Sequence, residues 1–190
     1  YISNCENRAM VNGTNNVGGI VGYGEGSLQN SANYGDISGV AQVGNLIGFA
    51  AAVNLNNVLG VGNVTATDQK GGLLVGESNN PWSTASGILA YNSNAKLTIK
   101  GTEQTGEAVK AIGEGSLPSA FRVKAFSAEQ LKSGLVAFIL QGNASESAKW
   151  GQKLNTDDYP LLNSADKVYS DSPITMKCSG ELEGTGTFTN

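Results

Sequence analysis

The chain has 190 residues, a net charge of −4 and only 15% charged residues. Lys and Arg do not cluster, which argues against a nucleic-acid-binding surface, and no apolar run approaches the roughly 18 residues of a membrane span. The chain contains no histidine, which excludes Ser-His-Asp and Cys-His catalytic arrangements and most catalytic zinc sites. Abundant Gly, Asn, Val, Ile and Thr instead favour an all-β protein with many tight turns.

The N-terminal part of the chain is a sequence repeat. The stretch VGGIVGY at residues 17–23 returns as VGNLIGF at residues 43–49, an offset of 26 (43 − 17), and KGGLLVGE at residues 70–77 restates it with one extra residue. A fourth, eroded copy occupies residues 88–101 and 106–115. A period in the twenties, with short apolar stretches between Asn and Gly, is typical of a solenoid.

Each copy contains three short apolar stretches, which predict three strands per coil with Gly and Asn at the corners. Successive coils then stack their strands in parallel. We therefore predict an all-β fold, a right-handed parallel β-helix (β-solenoid), with a C-terminal amphipathic capping helix and short terminal strands. The alignment places Asn4, Asn30 and Asn57 in one column, and we predict that they form a structural ladder of side-chain amides along the solenoid axis.

The glycine-rich phrase is not a phosphate-binding loop, because no Lys-Ser/Thr pair or helix pattern follows it and because it recurs. As a single strand it would carry apolar groups on both faces. We expect a later segment to cover the face with Tyr23 and Phe49; the alternative is that these two side chains form an exposed aromatic stripe that binds sugar rings or a protein. Tyr23 and Phe49 are therefore the candidate ligand-binding residues, and we predict no catalytic residue, no metal site and no cofactor.

The pattern of residue types changes after Pro118. Residues 126–143 have apolar residues at helical spacing, and Ser127 and Gln130 have the spacing of a capping box. An open solenoid end exposes unpaired strand edges, so we interpret this amphipathic helix as a cap. The predicted organisation is a solenoid over residues 1–120, a helical cap segment over 121–165, and short strands over 166–190 that lead to a further domain.

Two adjacent carboxylates and two cysteines are further candidates. Asp157 and Asp158 suit either a catalytic or calcium site or a solvated turn, and we prefer the turn because neighbours on a strand point to opposite sides. Cys5 and Cys178 lie near opposite ends of the chain. Since Ser31 fills the position of Cys5 in the next copy, we interpret both cysteines as free, buried thiols rather than as a disulfide.

The repeats resemble the GLUG-motif repeats of bacterial secreted and surface proteins; the matching stretches are ISNCENRAMVNG…NVGGIVGY and LQNSANYGDISG…QVGNLIGF. The resemblance covers roughly residues 1–77. The cap segment SGLVAFIL…WGQKLNTDDYPLL is similar to one that follows such repeats in surface proteins of Bacteroides-like gut bacteria. The resemblance implies an extracellular, cell-surface protein of adhesin type and no catalytic residues. The chain departs from the motif at Ala9 and at Asn45, which replaces the second glycine.

Three functions fit this sequence, and we favour the first. It is a non-catalytic cell-surface module, an adhesin or stalk that presents a flat β face to a host glycan or matrix protein. The second is an accessory spacer of a secreted protease, since such repeats also occur beside metalloprotease domains. The third is a carbohydrate-active β-helix enzyme, by analogy of fold; it would need charged residues clustered on one face, whereas those of the solenoid are scattered in sequence.

The partners follow from the same interpretation. The chain begins with Tyr1 rather than Met, so we expect it to be part of a longer protein, whose other domains are partners. We predict no nucleic-acid partner and no membrane insertion by this segment.

Overall fold

The computed structural model describes residues 1–79, 87–115, 122–143 and 149–190. It is 51% strand and 8% helix, and its parallel coils stack into a β-solenoid of about three turns. The predicted fold class is therefore confirmed. Among the described residues, no helix has the length and apolar character needed to cross a membrane.

Two sheets form the solenoid, and their pairings are parallel except for β11 with β12. Sheet A contains β1 Ile2–Ser3, β2 Glu6–Asn7, β5 Val21–Asn33, β7 Ile47–Gly60, β9 Val75–Ser78, β10 Ile88–Asn92, β13 Ile112–Glu114 and β14 Arg122–Phe126. Sheet B contains β3 Val11–Asn12, β4 Asn15–Gly18, β6 Ile37–Gly44, β8 Val64–Gly72, β11 Leu97–Ile99 and β12 Thr102–Glu103. A short 3₁₀ helix at Gly106–Ala108 precedes β13.

The strand register reproduces the sequence repeat. Val17 pairs with Val43 at the offset of 26, and Leu28 pairs with Leu55 at the offset of 27. The eroded fourth copy is a real coil, because β10, β11 and β13 pair with β7, β8 and β9 of the coil before it. Like residues therefore lie over like along the axis, and apolar side chains of successive coils share one core.

The number of strands per coil differs from the prediction. Each complete coil contributes one long strand to sheet A and a shorter one to sheet B, so the hydrogen bonding defines two sheets rather than three. The glycine phrase is also not one strand, because the backbone bends at residues 19–20, 45–46 and 73–74. The bends place Leu46, Leu73 and Leu74 in the core with at most 1% exposure. The phrase is thus the corner at which the chain passes from sheet B to sheet A.

The glycines of the phrase are required by close backbone approach at this corner. A Cβ atom on Gly44 would collide with the carbonyl oxygen of Ile47 and lie 2.5 Å from the Gly76 nitrogen in the next coil. A Cβ on Gly48 would collide with the backbone of Asn16 in the previous coil. Glycine is needed here for space, since only a residue without Cβ lets successive coils stack at strand spacing.

The C-terminal end of the solenoid is covered by a cap. Strand β14 pairs with β10 and is followed by helices α1 Ala128–Lys132 and α2 Leu135–Leu140. The capping box of Ser127 and Gln130 is present as predicted. The single predicted helix is two short ones, because Gly134 adopts a left-handed conformation with φ of 92°. Leu131, Phe138 and Ile139 are buried on the face that the helical spacing indicated.

The terminal segment belongs to the same core as the helices. It forms the antiparallel pairs β15 Trp150–Gly151 with β16 Leu161–Leu162, β17 Tyr169–Ser170 with β20 Phe188–Thr189, and β18 Thr175–Met176 with β19 Leu182–Glu183. Ile174 and Met176 are buried in the cap core, and the ring of Phe188 lies 5.9 Å from that of Phe138. Residues 166–190 therefore fold back onto the cap.

Side-chain amides attach the cap helices to this terminal segment. Gln141 donates to the carbonyl of Val168 at 3.0 Å and accepts from its N–H at 3.3 Å. Asn143 makes the same double contact with Ile174, at 2.8 Å for both bonds. Each amide thus substitutes for a neighbouring strand and satisfies a buried backbone donor and acceptor together.

The two cysteines and the two adjacent carboxylates occupy the surface. Cys5 and Cys178 are not joined by a disulfide, but both are exposed, so the prediction of buried thiols is wrong. Cys5 lies between β1 and β2. Asp157 accepts a hydrogen bond from the N–H of Lys153 at 2.7 Å, and Asp158 forms an ion pair with Lys132 at 3.3 Å. The two carboxylates therefore serve a surface turn and its charge pair.

Candidate binding groove

Tyr23 and Phe49 form a stacked aromatic pair on the outside of the solenoid. They are register partners on β5 and β7, their ring centroids are 5.3 Å apart, and their planes differ by 3°. Tyr23 is 59% exposed and Phe49 is partly exposed. The expectation that a later segment covers this face is therefore wrong for Tyr23, while ligand binding by the pair stays a prediction.

The geometry of the pair determines which surfaces a ligand can reach. Parallel rings at this centroid distance overlap face to face with an offset, so one face of Tyr23 is covered by Phe49. The rest of the Tyr23 ring borders two depressions. One is an apolar hollow of about 160 Å³ that Ile2, Val21 and Tyr23 help to line. The other is larger and lies at the corner between the two sheets.

We call the larger depression the corner groove. It has a volume of about 440 Å³ and is lined by Asn15, Asn16, Tyr23, Ala41, Gln42 and Phe49. The aromatic rings come from sheet A, and the amide side chains come from sheet B, as does the buried residue Ala41. Aromatic rings and amides in one depression offer apolar contact together with hydrogen-bond donors and acceptors.

Two of the lining residues, Asn16 and Gln42, belong to a column of residues in left-handed conformation. Asn16, Gln42 and Lys70 have φ values of 52°, 51° and 62°, one in each of three successive coils. Asn adopts this conformation readily, whereas Gln and Lys rarely do. The corner therefore imposes the same backbone geometry on three different side chains, and the side chains are free to vary.

The third coil brings charged residues into the same two columns. Glu77 is the register partner of Phe49 and Glu114 is the partner of Glu77. Lys70 Nζ lies 2.9 Å from Glu77 Oε1 and 3.4 Å from Glu114 Oε2. The expectation that the charged residues of the solenoid are scattered is therefore wrong at this point. The column is hidden in the sequence because the coil period lengthens from 26 to 28 residues (77 − 49) and then to 37 (114 − 77).

This ion pair is well formed. The side chains of Lys70 and Glu77 are only 20% and 13% exposed. The hydrogen bond to Glu77 raises the pKa of the Lys70 ammonium, with a smaller contribution from Glu114. Gln42 Nε2 also donates to Glu77 Oε2 at 3.1 Å. Both carboxylate oxygens of Glu77 are therefore held by neighbouring side chains.

The predicted asparagine column exists, but its chemistry differs from an amide ladder. Asn4, Asn30 and Asn57 all have positive φ, between 43° and 57°. Asparagine adopts this conformation readily, which accounts for its presence at this position of each coil, inside β5 and β7 in the cases of Asn30 and Asn57. Among the hydrogen bonds of these three side chains, Asn57 accepts from the N–H of Ile88 at 3.1 Å and Asn4 contacts Ser3; no amide bonds another within the column. The contact predicted there occurs instead between Asn7 Nδ2 and Asn33 Oδ1, at 2.7 Å.

A further depression lies in the cap. The cavity of about 250 Å³ in the cap is lined by Phe138, Asn143 and residues 168–173, and the amide of Asn143 is already hydrogen-bonded to the backbone of Ile174.

Among the described residues, no three Cys, Asp or Glu side chains are grouped so that they could hold a metal ion.

No family model, no curated protein and no solved structure matches this chain.

Proposed function

We propose that this chain is a non-catalytic module that binds a glycan in the corner groove and acts at a bacterial cell surface as an adhesin or stalk of the GLUG type. The observation that carries the proposal is the stacked Tyr23–Phe49 pair, with Tyr23 exposed to solvent, in a depression that amide side chains also line. Extracellular location and the GLUG family rest on the resemblance of the repeats.

The chemistry of the groove suits sugars. The faces and edges of aromatic rings pack against the C–H groups of a pyranose, while its hydroxyls need donors and acceptors nearby. Asn15 and Asn16 carry both and line the same depression as Tyr23. The hydroxyl of Tyr23 is itself a donor and acceptor at the rim.

The rigidity of the scaffold supports the same conclusion. The groove lies where two sheets meet, and its aromatic rings are fixed by strand pairing and by mutual stacking. A site held by strands loses little conformational entropy on binding. A shallow, rigid, mostly uncharged surface is suited to recognition by many weak contacts.

The test is binding of the purified chain to a broad array of glycans and host matrix proteins, followed by calorimetric titration of the best glycan. Tyr23→Ala removes the exposed ring, and we expect binding to weaken at least about tenfold, which corresponds to about 1.4 kcal/mol. Tyr169→Ala is the matched control, because Tyr169 is a similarly exposed tyrosine (50%) in the cap.

Equal melting temperatures of the two variants would show that both remain folded. Glycan binding that Tyr23→Ala loses and Tyr169→Ala keeps supports the proposal. Absence of binding to any glycan, binding to matrix protein alone, or unchanged glycan affinity of Tyr23→Ala would contradict it.

A further inference from the structure

Gln42 links the corner groove to the charged residues of the third coil. It is one of the lining residues of the groove, and its Nε2 donates a hydrogen bond to Glu77 Oε2 at 3.1 Å. Glu77 itself lies outside the set of lining residues, and its other oxygen accepts from Lys70 Nζ at 2.9 Å. Glu77 therefore acts on a bound molecule through Gln42.

The contact with Glu77 fixes which way round the Gln42 amide lies. An ionised carboxylate accepts hydrogen bonds and cannot donate them, so the nitrogen of the amide must face Glu77. A half-turn about the last side-chain bond would instead bring two acceptor oxygens together. The other arm of the amide carries Oε1, and within the part of the chain that the structure describes no group donates a hydrogen bond to this oxygen.

Glu77 is itself held in place. Its side chain is only 13% exposed, and the Lys70 ammonium that it binds lies 3.4 Å from a second carboxylate oxygen, Glu114 Oε2. A hydrogen bond to a charged acceptor also polarises the donating amide, which makes the amide oxygen a stronger acceptor. Gln42 therefore offers the groove an acceptor that is both fixed in position and strengthened.

We infer that Glu77 is a positioning residue for glycan recognition, which orients Gln42 so that its Oε1 accepts a hydrogen bond from a hydroxyl of the bound sugar. The inference rests on the proposed function. It gives the groove a defined preference, because a free hydroxyl can donate to Gln42, whereas a methyl ether or a sulfate ester at the same place only accepts. Tyr23 and Asn16 line the same groove and contact the rest of the sugar.

The experiment compares sugars that differ by one donor hydrogen. Methyl glucoside, methyl galactoside and methyl mannoside are titrated into the wild-type chain and followed by NMR, each alongside the derivatives in which one hydroxyl is methylated. We expect one position at which methylation weakens binding at least about tenfold, through the lost hydrogen bond and the bulk of the methyl group together.

Glu77→Gln is the variant that reverses the amide. Lys70 only donates, so it must bind the oxygen of the introduced amide, and the introduced nitrogen then faces Gln42. The Gln42 amide has to turn in order to accept from it, which brings the Gln42 nitrogen to the bound sugar. A methylated oxygen can still accept from this nitrogen, so the penalty for methylation should fall about fivefold. The bulk of the methyl group is the same in both proteins and cancels in the comparison.

Glu114→Gln is the matched control. It removes the same charge beside Lys70, but the ion pair of Glu114 is with Lys70 and not with the groove. The methylation penalty should therefore stay that of the wild type. An equal decrease in both variants would show that charge alone is the cause and would overturn the inference.

A measurement on the wild type decides the matter should Glu77→Gln fail to fold. The resonance of the Gln42 side-chain carbonyl carbon should shift on addition of the parent glycoside and not on addition of its critical methyl ether. The inference is overturned if this resonance does not respond, if no methylation penalty exists, or if folded Glu77→Gln keeps the penalty in full. Tyr23-dependent binding on the glycan array leaves the proposed function standing in each of these cases. If none of the three glycosides binds, the inference is also overturned, and the array alone decides the proposed function.

Discussion

Gly44→Ala is the substitution that most directly tests how the coils stack. The added Cβ would collide with the carbonyl oxygen of Ile47, and it would lie 2.5 Å from the Gly76 nitrogen and 2.8 Å from the Val75 Cα. All three neighbours are backbone atoms, and two of them belong to the next coil. No side chain can rotate away, so the coils must separate locally.

The cost follows from the general penalty for overfilling a packed interior. Such substitutions cost about 1–3 kcal/mol, and we expect about 3 kcal/mol here because only backbone can yield. For a domain of this size each kcal/mol lowers the melting temperature by about 2–4 °C, so the expected decrease is about 6–12 °C. Thermal unfolding followed by circular dichroism measures it.

Gly13→Ala is the control for this prediction. The three nearest neighbours of its Cβ would all be atoms of the Val17 side chain, the closest at 2.9 Å, and the residue is exposed on the first coil. Because a side chain rather than backbone has to shift, we expect a loss of about 1 kcal/mol, at the low end for overfilling and well below that of Gly44→Ala. Were Gly44→Ala to melt within 2 °C of the wild type, the argument that close backbone approach requires glycine at this corner would be refuted.

Three further substitutions test the cap, the corners and the contact between cap and solenoid. Gln141→Leu leaves the buried N–H and C=O of Val168 without partners and should lower the free energy of unfolding by about 2–3 kcal/mol in urea titration; an unchanged midpoint would mean that water replaces the amide. Asn57→Ala should be less stable than Asn57→Gly by about 1 kcal/mol, because only alanine is strained at φ of 53°, and equal midpoints would contradict this reason. Burial raises the pKa of Tyr34 well above its ordinary value of 10.0, so above pH 10 the hydroxyl ionises in the unfolded state but stays protonated in the folded state. The free energy of unfolding should therefore decrease as the pH rises above 10. If Tyr34 is the cause, the decrease should be less steep in Tyr34→Phe.

Tyr34 explains why the cap and the solenoid form one unit. Its ring stacks on Tyr159 at a centroid distance of 4.8 Å, and its hydroxyl donates to the carbonyl of Pro160 at 2.8 Å. Tyr159 lies in the cap segment, and its partner on the second coil is 125 residues earlier (159 − 34). Nothing local in the sequence indicates a contact of this kind.

The helical cap shows where sequence reasoning succeeds and where it stops. The capping box of Ser127 and Gln130 could be read from residue spacing, because it depends on atoms within one turn. The break at Gly134 was missed, because apolar periodicity continues through it. Whether a glycine bends a helix depends on what surrounds it, and a Cβ at Gly134 would lie 2.8 Å from the side chain of Leu154 and 3.1 Å from that of Val168.

The binding groove was only half visible in the sequence. Tyr23 and Phe49 could be paired by their offset of 26, but the expectation that a later segment covers them was wrong for Tyr23, since covered and exposed columns give the same repeat. The Lys70–Glu77–Glu114 cluster was missed altogether, because the offsets of 28 and 37 residues carry no common period.

The sequence by itself determined that coils of this chain stack like over like. A repeated pattern of apolar residues, glycines and asparagines can bury its apolar side chains and pair its backbone hydrogen-bonding groups only if the coils stack in parallel, and this follows from local periodicity. The tertiary structure decided which columns meet at the corner between the sheets. Which residues of sheets A and B lie next to each other depends on the angle at which the backbone bends at residues 19–20, 45–46 and 73–74. That angle is set by packing of the buried leucines and by the glycines that let the coils approach.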